Sequence, residues 1–462
     1  MDGISLSRPA GVVFNARWIT LAALCLAVLV AQVDTAVVNL AVRPIGEYFS
    51  AGVQALQWAV DAYNLIYAVL LLTGGQLADL YGRRRIFIAG AAIFTAGSLV
   101  CAFAPSIVVL ILGRALAGLG AALLIPASLA IIRVVWPDPV ERGRALGVWA
   151  ACNGVAFAIA PTLGGLLING FGWRSIFVVV VPLGLAAILL AILAIPESSD
   201  PKNRRFDAPA QLLGAIALGG LAFAAIEAHA TPILAIAAFL VAALALGLFL
   251  RAEAKTGPAA LVPLDIFTTC GFRAAITATT GMTFGMYGAL FLLPLAWQSA
   301  GRLGALGAGL ALMPMAAVFV AVSPFSGALV ERFGVRLITA GGVAIIGVGL
   351  LTIGVTAFEA SLAPALVGLT LTGLGMGLAT GPLMGAAVGA VGAARSGTAS
   401  ALINVARMAG ATFGVAVLGT AFAMVHGGPE GLRLAMLLGG LVQIGCAGAA
   451  WAMTRPAAAA AG

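Results

Sequence analysis

The sequence predicts an all-α membrane protein with fourteen transmembrane helices. Three observations predict it: an extreme apolar composition, basic residues confined to alternate loops, and a loop motif that occurs once in each half. Of the 462 residues, 62% are hydrophobic and only 9% are charged. A water-soluble chain of this length needs a polar shell, with about a quarter of its residues charged. The mean hydropathy of +1.13 agrees, so the solvent for most of this surface is lipid.

A span needs about 20 apolar residues. The first such run, Trp18 to Leu40, is followed by no small-residue cleavage site and reads as a permanent helix rather than a signal peptide. Runs of the same kind place spans at 17–41, 54–77, 84–104, 107–133, 144–170, 173–195, 209–228, 232–251, 272–297, 304–328, 336–357, 361–390, 397–424 and 431–453. The Gly and Pro inside several of them are tolerated in packed membrane helices.

Basic residues orient these spans. With both termini in the cytoplasm, 18 of the 24 Lys and Arg fall inside, 4 outside and 2, Arg114 and Arg407, within the membrane. A missed or extra helix would scramble that bias. The net charge of +8 therefore reads as topology, and no nucleic-acid partner is expected. Five scattered cysteines and two histidines leave no disulfide pattern and no metal site.

The loop after the second span reads GQLADLYGRR (Gly75–Arg84), and the loop after the tenth reads GALVERFGVR (Gly327–Arg336). Both lie on the cytoplasmic side, so the halves are parallel repeats of six helices with two inserted helices between them. The expected domains are residues 1–196, a linker and insert over 197–256, and residues 257–462. The 60 glycines fit helices that approach closely and bundles that rock on smooth interfaces.

Several motifs together resemble the major facilitator superfamily, in particular its fourteen-helix drug:proton antiporter branch. They are the Gly75–Arg85 loop, VDTAVVNLAV (Val33–Val42), QWAVDAYNL (Gln57–Leu65), ILGRALAGLGAA (Ile111–Ala122), APTLGG (Ala160–Gly165) and GWRSIFVVVVPLG (Gly172–Gly184). Two positions depart from the branch: Ala160 stands before Pro161 where Gly is usual, and Val180 replaces an Asn. The resemblance implies a fold of two parallel six-helix bundles plus the insert. It implies a cytoplasmic gate built from Gly75, Asp79, Gly82, Arg83, Arg84 and Arg144, with Glu331 and Arg336 in the second copy. It also implies an antiporter motif at Gly154, Pro161, Gly164 and Gly165. Asp79 is expected to pair with a basic neighbour, Arg144 among the candidates, or to face a helix N-terminus.

Ionisable groups within spans are expensive, about 2.5–3.5 kcal/mol each at a helix centre, and need a partner, water or a task. Counting 1.5 Å per residue puts Asp34, Asp61 and Arg114 between roughly 11 and 15 Å below the outer surface, on three helices of one half. These three are the expected proton-coupling residues, with a static Asp–Arg pair as the plain alternative. The expected substrate cavity takes Asn39, Tyr63, Tyr67, Phe284, Tyr287, Phe291, Asn404 and Arg407. Glu227 is expected near an outer helix end.

No GxxxxGK[ST] loop exists, which excludes ATP-driven transport by this chain, and HExxH and GxSxG are absent, which speaks against an enzyme. An ion gradient is the remaining energy source, and buried carboxylates fit protons. The expected function is proton-coupled export of small lipophilic compounds, cations included, by alternating access in a bacterial inner membrane; uptake of a nutrient is the alternative. The expected partners are a small-molecule substrate, protons and the bilayer, with the chain acting as a monomer and without a cofactor. A periplasmic adaptor is compatible with this reading, and nothing in the chain specifies one.

Overall fold

The computed structural model describes residues 10–199, 207–257, 260, 262–357, 361–391 and 395–454. Arg8, Lys202, Arg204, Arg205 and Arg455 from the charge count lie outside the described residues, as does part of the expected linker. Among the described residues, fourteen helices are long and apolar enough to cross a membrane. They are α1 Arg17–Phe49, α2 Val53–Tyr81, α3 Arg83–Ala102, α4 Ile107–Val135, α5 Val140–Phe171, α6 Ser175–Ala194, α7 Ala208–Glu227, α8 Pro232–Thr256, α9 Cys270–Ser299, α10 Ala305–Phe333, α11 Val335–Val355, α12 Ala363–Gly389, α13 Thr398–Met424 and α14 Gly428–Met453.

Five helices, α1, α2, α5, α8 and α10, overrun the apolar runs that predicted them by four residues or more at one end. α1 continues through Pro44 to Phe49, and its polar last turns are tied by Arg43 to Glu47, one turn on, at 2.6 Å. α10 passes through a tight turn at Ser323–Phe325 and continues to Phe333. Hydropathy marks where lipid ends, whereas a helix ends only where its hydrogen bonds do.

The packing pattern is written twice. α3 lies on α4, α2 on α4, α1 on α5 and on α6, and α3 on α6. The same contacts recur eight helices later: α11 on α12, α10 on α12, α9 on α13 and on α14, and α11 on α14. The halves meet through α2 with α13, α5 with α10, and α1 with α9.

The inserted hairpin touches both halves. α7 packs on α2 and on α13, so it covers one side of the seam between them. Gln211 of α7 bonds to the Thr73 hydroxyl and donates to the Val69 carbonyl, both on α2. At the other end of α7, Thr420 of α13 donates to the Ala225 carbonyl at 2.9 Å. α8 packs on α7 and turns Ile233, Phe239, Leu240 and Leu244 outward, an apolar face suited to lipid.

The seam between halves is tight at the end away from the Arg83–Arg85 loop. There Gln57 of α2 donates to the carbonyls of Val415 and Ala416 at 3.1 and 2.8 Å. Gln298 of α9 donates to the Leu40 carbonyl of α1 at 3.1 Å. The Gly309 backbone of α10 lies against Pro161 of α5, so close that a Cβ there would fall 2.1 Å from the Pro161 oxygen. At the basic-loop end, Arg144 of α5 and Glu331 and Phe333 of α10 are exposed. The hydrogen bonds that tie the halves together, from Gln57 and Gln298, lie at the end away from the basic loop.

Candidate functional site

The site begins with how α4 lies on α2. Gly118 carries no side chain, and a Cβ at that position would sit 2.5 Å from the Tyr63 carbonyl oxygen. One turn earlier, Arg114 therefore reaches across α2 to α1. Its Nη1 donates to Asp34 Oδ2 at 2.5 Å, its Nε donates to the Ala59 carbonyl at 3.2 Å, and its guanidinium lies 4.6 Å over the Tyr63 ring. Both side chains of the ion pair are 1% exposed. One arginine thus joins three helices through an ion pair, a backbone bond and a cation–π contact. Asp34 Oδ1 has no hydrogen-bond partner among the described residues.

Asp61 lies outside this arrangement. Asp61 is 0% exposed, and neither of its oxygens has a partner among the described residues. The geometry of α2 explains why. Arg114 touches Ala59 and Tyr63, which are one turn apart and share a face, whereas Asp61 is two residues from each and points about 200° away. Asn64 is enclosed beside it with both amide atoms also unpartnered. Of the three groups expected to act together, the fold joins two and leaves the third alone.

The expected cavity residues divide likewise. Tyr63 is 1% exposed under Arg114 and lines no open space. Phe291 and Phe284 are buried in the larger of the two apolar clusters, and Asn39 is buried with its amide donating to the Thr35 carbonyl. Aromatic spacing on α9 found the right face, but the end seal covers most of it. Tyr287 alone keeps partial exposure and packs against both apolar clusters. Tyr67 of α2 and Tyr287 of α9 both lie within electrostatic reach of Arg407 of α13. Asn404, one turn from Arg407, donates to the Ser400 carbonyl at 2.8 Å. Tyr67, Tyr287, Asn404 and Arg407 bring three helices from both halves together.

The loop after α2 is held by its own residues. Gly82 has φ +109°, and its counterpart Gly334 has φ +84°, conformations that favour glycine at both copies of the motif. Asp79 accepts from Arg83 Nη2 at 2.8 Å rather than from Arg144, which is exposed. Glu197, a residue the sequence reading missed, accepts from the backbone N–H groups of Arg84 and Arg85, both at 3.2 Å. Arg84 itself donates to the Ile192 carbonyl. Gly75, four residues before Asp79, faces Pro126 of α4. In the second copy, Arg336 stacks 3.8 Å over Trp451 and Glu331 is exposed.

The α5 motif sits on the seam. Pro161 meets Gly309 and Gly165 meets Leu306 of α10, Gly164 meets Val37 and Leu40 of α1, and Gly154 faces Val320 of α10. Gln57 and Gln298 on this seam were also missed, although a glutamine inside an apolar run is a readable sign of a bond between helices. Glu227 is 9% exposed at the end of α7 and accepts from the Trp58 indole and the Thr231 hydroxyl.

The sequence profile of the Major Facilitator Superfamily matches residues 24–415. The chain is 37% identical over 408 residues to "Multidrug resistance protein Stp" of Mycobacterium tuberculosis, covering 88% of this chain and 76% of that protein. It is 35% identical over 406 residues to "Drug efflux pump JefA" of the same organism, covering 87% and 80%. It is 30% identical over 431 residues to "Methylenomycin A resistance protein" of Streptomyces coelicolor, covering 92% and 90%. Among solved structures, a peptide transporter POT in complex with sulfate superposes with a TM-score of 0.72 at 14% identity, covering 94% of each chain. That last likeness concerns the fold alone.

Proposed function

The chain belongs to the major facilitator superfamily, and on that premise we propose that it exports small lipophilic organic compounds, drugs among them, in exchange for protons. The relatives support the cargo class, since they are named for multidrug resistance and drug efflux. They favour export over uptake. The basic loops orient the chain in a bacterial inner membrane with the Arg83–Arg85 loop and both termini in the cytoplasm. The bonded end of the seam then faces outward, and cargo enters from the cytoplasmic end. Proton, cargo and bilayer are the partners of a monomer.

The observation that carries proton coupling is Asp61, enclosed with no cation and no bonded donor among the described residues. A carboxylate buried without a partner is expensive to keep ionised, so Asp61 is the group that holds the proton in this closed-outside state. Asp34 and Arg114 neutralise each other and position α1, α2 and α4 around it. Asp61 and Tyr67 ride the same helix. Cargo that displaces Tyr67 shifts α2, admits water to Asp61 and releases its proton inward. The loaded bundles rock, the α2–α13 and α5–α10 contacts part, cargo leaves, and Asp61 takes a proton from outside. Each proton entering down a potential of 100 mV supplies about 2.3 kcal/mol.

The test is proton-driven accumulation of fluorescent lipophilic drugs in everted membrane vesicles. Asp61→Asn should reduce it to the background of vesicles lacking the protein, while the purified variant keeps its thermal melt. Undiminished accumulation in that variant would remove Asp61 from the coupling.

A further inference from the structure

The charge of the cargo follows from which groups between the two bundles are already neutralised. Among the described residues, the lone positive charge there is Arg407. It lies nine residues, about 14 Å, into α13 from the cytoplasmic end. It is half-buried and, among the described residues, has no carboxylate partner and no hydrogen-bond acceptor. Its stretch of α13 faces the other bundle rather than lipid: Val405 and Met408 on either side of it pack into the cluster that holds Tyr67, Tyr67 and Tyr287 lie within electrostatic reach, and α7 covers the α2–α13 seam from outside. The other charges nearby are spoken for: Asp34 is bonded to Arg114, and Asp61 is sealed away on another face of α2. An arginine within a span needs a partner or water, and five unused N–H donors in a fixed fork match a carboxylate or sulfonate.

We infer that Arg407 is the anchor for an anionic group, so that the preferred cargo is an apolar or aromatic body carrying one carboxylate, sulfonate or acidic phenol. The guanidinium takes the anion in a two-bond fork. The hydroxyls of Tyr67 and Tyr287 add neutral donors beside it, and their rings, with Met408 and Val405 of α13, supply the apolar wall. A lipophilic cation, the cargo type named from the sequence, would meet an unopposed positive charge at this place. The inference rests on the export reading, because it names the cargo of that same cavity.

Protein in lipid nanodiscs is titrated with three probes of one body: 1-pyrenebutyrate, its neutral amide and 1-pyrenebutylamine, read by energy transfer from tryptophan. The carboxylate should bind about ten- to a hundredfold more tightly than the amide, the range of a charged hydrogen bond, and the ammonium more weakly than either. Arg407→Gln should erase the carboxylate preference, bringing the affinity of the carboxylate down to that of the amide. Arg407→Lys should keep part of the preference, since the charge stays and the fork goes. Equal affinities in the parent protein, no saturable carboxylate binding, tighter ammonium binding, or a preference that survives Arg407→Gln would each overturn the inference. The three-probe comparison in the parent protein needs no variant, so it decides the matter even if Arg407→Gln fails to fold. A carboxylate preference without proton-driven transport in vesicles would instead defeat the export reading and leave the anion site standing.

Discussion

Two arginines lie inside the membrane, one in each half, and the fold treats them oppositely. Arg114 is 1% exposed and spends its donors on Asp34, the Ala59 carbonyl and the Tyr63 ring. Arg407 is half-buried, within electrostatic reach of two phenols, and donates no hydrogen bond to a described residue. The difference teaches where a membrane charge is structural and where it is available. A charge that is fully bonded holds helices together; a charge left unbonded between the bundles is there for something that arrives.

The largest expected effect breaks the comparison from the Arg114 side. Arg114→Gln leaves Asp34 buried without its partner, and removing one member of a buried pair costs about 3–5 kcal/mol. In a detergent melt this variant should lose much of its thermal stability, and Asp34→Asn added to it should restore part of the loss. Arg407→Gln should melt within the range of a surface change, about 0.5 kcal/mol. Equal losses for the two single variants would erase the distinction between them.

A smaller effect tests the seam on which the closed state depends. Gly309→Ala places a Cβ 2.1 Å from the Pro161 oxygen, and overpacking of this kind costs about 1–3 kcal/mol. Because the contact belongs to the closed end alone, the cost should fall on that state and shift the population toward the outward-open one. Labelling of Val415→Cys by a membrane-impermeant maleimide from the outside should then speed up in the Gly309→Ala background. An unchanged labelling rate would mean that α5 and α10 separate without that contact.

The fourteen spans were readable because crossing a bilayer sets a minimum length on every apolar run. Gly82 and Gly334 were readable because a repeated left-handed turn demands the same residue twice. The wiring of the site was not. Counting residues gives the depth of Asp34, Asp61 and Arg114, but which way a side chain faces depends on how its helix is rotated, and that is fixed by distant packing such as Gly118 against Tyr63. Depth alone groups Asp61 with Arg114; the face of α2 separates them. Chemistry and spacing place Tyr63, Phe284 and Phe291 in the cavity, and packing buries them. The second half shows the opposite, since Arg407 sits one turn from Asn404 in an ordinary stretch of sequence and gains its meaning only from Tyr67 and Tyr287 on other helices.

Whether cargo binding frees the proton held on Asp61 is read by following pH in weakly buffered, purified protein as saturating cargo is added. Protons should be released on binding in the parent protein and not in Asp61→Asn, with cargo affinity retained. Equal release in both proteins would contradict that role of Asp61.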